Sequence, residues 1–98
     1  MADNDDIIKI ELLPRERELI LEYGYPFSPA KDQLKDVASS PEVEVLLISP
    51  FYLNQMIGDL SYSINKRTKG RIQDELFELC DRLESIYRYG EGELDYWE

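Results

Sequence analysis

Catalysis at neutral pH usually needs a group that titrates near 7, or a metal held by nitrogen and sulfur. The sequence has no histidine and a single cysteine, Cys80. A thiol nucleophile needs a base beside it, and the usual imidazole is missing. No serine stands in a G-x-S-x-G turn, and there is no P-loop or paired-glycine phosphate motif. Carboxylates remain, with 21 acids against 11 bases. A glycosidase-like pair or a divalent-metal site would need several acids converging in a cleft. Asp3, Asp5 and Asp6 faintly follow a calcium loop, but its glycine and its distant glutamate are absent. Most other acids fall on the outer faces of expected helices. No catalytic, cofactor-binding or metal-ligating set is assigned. A non-enzymatic protein is expected, with a carboxylate-based, metal-dependent hydrolase as the weakest alternative.

Residues suited to contact are better represented. The chain has seven tyrosines, a rigid and amphipathic residue type that suits interfaces. Tyr23, Tyr25, Phe27 and Tyr52 are expected to gather near one end of the fold. Tyr87, Tyr89, Tyr96 and Trp97 are expected near another. The second group, with Glu91, Glu93 and Asp95 of the tail, is the preferred partner-binding surface. A weaker candidate is Gln55, Asp59, Tyr62 and Ser63. Asp59 and Ser63 are four apart, on one side of a helix. That set reads either as a polar recognition strip or as a solvated face.

The formal net charge is -10. Such a field repels nucleic-acid phosphates and anionic membranes and attracts a basic protein. The run KRTKGR, Lys66 to Arg71, holds four of the cations. Its first residues sit at the negative end of an expected helix, and no base-reading helix follows. The chain is 43% hydrophobic, a globular composition. A lone cysteine builds no disulfide framework, which points to a reducing compartment. The N-terminus is acidic where a signal peptide would be basic. The longest apolar run, Val45 to Ile48, is far too short to span a bilayer. The expectation is a cytoplasmic protein that binds another protein, with no cofactor, nucleic acid or membrane.

These residues need elements to hold them. One domain over residues 1–98 is expected, with 1–6 and 91–98 as loosely packed ends. Ile8, Ile10 and Leu12 alternate with Ile7, Lys9 and Glu11, as in a strand with one wet face. Pro14 opens a helix that carries Leu19, Ile20 and Tyr23 on its apolar side. Gly24 is expected in the left-handed C′ position that ends it, with Pro26 beyond. Ser28 as N-cap and Pro29 at N1 start a short helix. A second strand, Val43 to Ile48, is apolar on both faces and so is expected to be the more covered one. Ser49-Pro50 starts another helix, with Leu53, Met56, Ile57, Leu60 and Ile64 at helical spacing. Gly58 inside it suggests close approach of another backbone.

The stretch Leu12 to Gly24, LLPRERELILEYG, resembles the first helix of the LuxR-type helix-turn-helix domain. The likeness covers about a dozen residues. A basic recognition helix should follow, and Ser28–Ser39 is not one, so no DNA-binding role is carried over.

The strongest pattern is Ile72, Leu76, Leu79, Leu83 and Ile86, spaced four, three, four, three. Phe77, Cys80 and Tyr87 widen it. Glu78–Arg82 and Glu84–Arg88 are oriented for i, i+4 pairing. About two and a half heptads are too few for a sustained coiled coil, so packing against the Leu53–Ile64 helix is favoured over a dimer seam. The fold class is therefore α+β: two short strands covered by three or four helices, with a C-terminal antiparallel helical hairpin. The function expected is a small acidic interaction module for a more basic protein, in the manner of an antitoxin, immunity or adaptor protein. The alternative is a structural homo-oligomer that uses the helix seam or the second strand.

Overall fold

A computed structural model describes residues 7–89. The chain order is β1 (Ile8–Leu12), α1 (Pro14–Tyr23), α2 (Ala30–Asp36), β2 (Glu44–Ile48), α3 (Pro50–Lys66) and α4 (Gly70–Tyr89). The two strands pair antiparallel, with Ile10 opposite Leu46. The fold is α+β, as the alternation and the helical spacing imply. Among the described residues, no helix is long and apolar enough to cross a membrane.

The inner face of the sheet supplies Ile10, Leu12, Leu46 and Ile48 to the core. Leu19 and Ile20 of α1, Leu34 of α2, and Leu53, Met56 and Leu60 of α3 close over them. α3 and α4 form the antiparallel hairpin, and Leu76, Leu79, Leu83 and Ile86 are buried. The heptad seam is thus used inside one chain. Its first residue, Ile72, is exposed, as are Phe77 and Tyr87, so the stripe is narrower than expected. The Cys80 thiol lies within it, 3.8 Å from the Ile57 carbonyl.

Helix ends follow their local chemistry. The Leu13 N–H donates to the Glu16 carboxylate at 2.9 Å, closing the start of α1. The Ser49 hydroxyl accepts from the Tyr52 N–H as the N-cap of α3. At the far end of α3, the Thr68 hydroxyl and the Gln73 carboxamide donate to the Ile64 carbonyl. These bonds satisfy groups that a helix terminus leaves open.

Several expectations are corrected. Gly24 is not left-handed; its φ is -98°. It is needed for space, because a Cβ there would lie 2.9 Å from the Ile20 carbonyl oxygen and 3.3 Å from Met56. Gly58 has the opposite situation: nothing lies within 4 Å of where its Cβ would be. Ser28 does not cap α2, since Pro29 occupies that position and Ser28 lies one residue further out. Arg82 passes over Glu78 for Glu16, at 2.8 Å, because its long arm reaches across to α1. Glu84–Arg88 is not among the ion pairs of the described residues. β2 is not the more covered strand: both strands have the same burial pattern, and among the described residues the helices pack on the inner face and leave Val45 and Leu47 exposed.

Candidate functional site

Among the described residues, the largest gathering of exposed aromatic rings lies where the α1–α2 connection meets the start of α3. Pro26 cannot continue α1, and Tyr25 takes a positive φ of 44° as the chain turns. This brings Phe27 against Tyr52, with ring centroids 5.9 Å apart and planes at 80°. Phe51 and Tyr52 meet at 5.1 Å and 79°. Edge-to-face pairs of this kind are favourable beyond their buried area. Phe27 nevertheless remains 51% exposed and Phe51 67%. Tyr25, Phe27, Tyr52 and Gln55 line a shallow dimple together with Ala30, Ile48 and Met56. Among the described residues, no charged side chain lines it.

Arg67 supports one wall of this region. Its guanidinium carbon stands 5.1 Å from the centroid of Tyr23 and 5.5 Å from that of Tyr25. It donates to the Tyr25 hydroxyl and to the Glu22 carbonyl. Arg67 is the C-cap residue of α3, and its guanidinium also reaches the negative end of α1. That gives part of the basic run a structural task.

The expected site residues separate. Tyr25, Phe27 and Tyr52 come together, and Gln55 joins them. Phe51 completes the cluster through its contact with Tyr52. Tyr62 is exposed and Asp59 partly so on α3. Ser63 leaves the polar strip: it is fully buried, and its hydroxyl donates to the Tyr23 carbonyl at 2.9 Å. Tyr87 and Tyr89 are exposed on the last turns of α4. Glu91, Glu93, Asp95, Tyr96 and Trp97 lie outside the described residues.

A residue missed in the sequence is Arg17. It is only 2% exposed. Its guanidinium donates to the carbonyls of Leu12 at 3.0 Å, Glu42 at 2.9 Å and Ser40 at 2.6 Å. It ties the end of β1 to the turn before β2. Its position three residues before Ile20, on the buried side of α1, was the signal available.

Glu75 is held below the usual carboxylate range by its hydrogen bond from Arg15, at 2.7 Å. Burial pushes the Cys80 thiol up, helped by the nearby Glu84 and Asp81. Such a thiol is a poor nucleophile. Among the described residues, no group of three or more histidine, cysteine or acidic side chains could hold a metal ion. No protein-family model, curated protein or solved structure matches the chain.

Proposed function

We propose that this chain is a small, acidic, non-enzymatic interaction module of the cytoplasm. Its contact surface is the cluster of Tyr25, Phe27, Phe51 and Tyr52, with Gln55 at its edge, and its partner is a more basic protein. The observation that carries this reading is a set of rings that pack on one another and still face solvent. Rings held this way offer apolar area at low entropic cost, which is what interface anchors do. The net charge of -10 would speed and steer encounter with a cationic surface. Antitoxin, immunity and adaptor proteins are analogies for such a role.

The test is capture of a partner by wild-type protein and by the Phe27→Ala, Phe51→Ala double variant, followed by binding with both components purified. Both rings are largely exposed, so the variant should fold. A basic protein that binds the wild type, weakens as salt rises and loses the variant supports the reading. A purified partner that binds both forms equally, or the absence of any basic partner at low salt, sinks it.

A further inference from the structure

The outer face of the sheet carries its own pattern. Ile7, Val43, Val45 and Leu47 are each 44–50% exposed. Leu13, one step past the end of β1 in extended conformation, is 54% exposed. Side chains take part of the backbone on both edges of the sheet. Gln33 engages both backbone groups of Leu47, and Arg82 donates to the Glu11 carbonyl at 2.7 Å. A partner for this region is better placed flat on the face than beside an edge.

Along the first strand that face reads Ile7, Lys9, Glu11, Leu13: apolar, positive, negative, apolar. Reversed about Ile10, the order is its own complement. A two-fold axis running across the strands at Ile10 and Leu46 sets Lys9 over Glu11 of a second copy, twice. The same axis sets Ile7 over Leu13. On the second strand, Leu47 stands opposite Lys9 and Val45 opposite Glu11, so Leu47 falls over Val45. At these positions charge meets opposite charge and apolar meets apolar, while Val43, continuing the register, falls over Ser49. Sheets stacked this way lie about 10 Å apart, and the contact is of the self-matching two-fold kind.

We propose that this face is a homodimer interface, in which two copies stack their β1–β2 sheets face to face. The face is small beside the roughly 800 Å² a side of a standard interface. The dimer is therefore weak and depends on concentration. It uses none of the aromatic cluster, so it stands or falls separately from partner binding.

Sedimentation equilibrium from micromolar to millimolar protein at physiological salt tests it. The wild type shifts from monomer to dimer mass, and Val45→Asp stays monomeric. Lys9→Glu places two acids on the face, and Glu11→Lys places two bases. Each alone associates about tenfold more weakly than the wild type. An equal mixture of the two recovers association, because their faces then oppose in sign. All three changes are on exposed side chains, and circular dichroism checks that each folds. A wild type that stays monomeric at millimolar concentration overturns the proposal. So does association that Val45→Asp leaves intact, or a mixture no better than its components.

Discussion

The carboxamide of Gln33 treats Leu47 as a neighbouring strand would. Its Nε2 donates to the Leu47 carbonyl at 2.9 Å, and its Oε1 accepts from the Leu47 N–H at 2.9 Å. An exposed edge is a template for unwanted pairing, and one side chain occupies this one at Leu47. Gln33→Ala should cost about 1 kcal/mol, since water can replace the lost bonds. Urea denaturation reads that loss. The variant should also bind amyloid dyes sooner than the wild type on prolonged shaking. Equal lag times would mean that the edge is protected by something other than Gln33.

Arg17 should be the least replaceable charged residue. Its three carbonyl acceptors come from two chain segments. Arg17→Met keeps much of the apolar stem and leaves those carbonyls unpaired, at a cost of about 3 kcal/mol. Arg17→Lys should recover only part of it, because an ammonium cannot span the fork. The urea midpoints of the two variants check the order.

The two internal glycines should respond in opposite directions to the same change. Gly24→Ala forces a Cβ against the Ile20 carbonyl and Met56 and should destabilise by about 1–3 kcal/mol. Gly58→Ala enters open space within α3 and should stabilise by about 1 kcal/mol. Thermal melts of the two variants give the signs directly. A stabilised Gly24→Ala would show that Ile20 and Met56 can move aside.

Two titrating groups give pH signatures. Glu75 titrates lower in the folded protein than in the unfolded chain, because Arg15 binds its charged form. Its contribution is therefore present above about pH 4.3 and fades as pH falls through the native titration. Glu75→Gln should lower stability at neutral pH, and its acid unfolding profile should converge on that of the wild type. Cys80 should react slowly with a thiol reagent in native buffer and rapidly in urea, since burial holds it as the neutral thiol.

The core was legible in the sequence because periodicity reports it. Leu76, Leu79, Leu83 and Ile86 are buried where their spacing put them, and Pro14, Ser49 and Pro50 start helices where backbone chemistry allows. What was illegible depended on distant neighbours. Gly24 reads as a turn residue until α3 lies against it. Arg17 reads as a solvated cation until the turn before β2 wraps around it. Val45 and Leu47 read as covered because nothing local says which side the helices take. In the aromatic cluster, Tyr25, Phe27 and Tyr52 could be grouped from their positions around two helix boundaries. Phe51 could not, because its exposure follows from how α3 is rotated.

Arg82 holds Glu16 and the Glu11 carbonyl from far along the chain, 66 and 71 positions away. During synthesis the opening strand emerges long before that guanidinium does. Its free backbone edge must wait in water, or in a chaperone's grip, until nearly the whole hairpin has left the ribosome. A pause in translation short of Arg82 would hold a nascent chain whose first strand still lacks this cover.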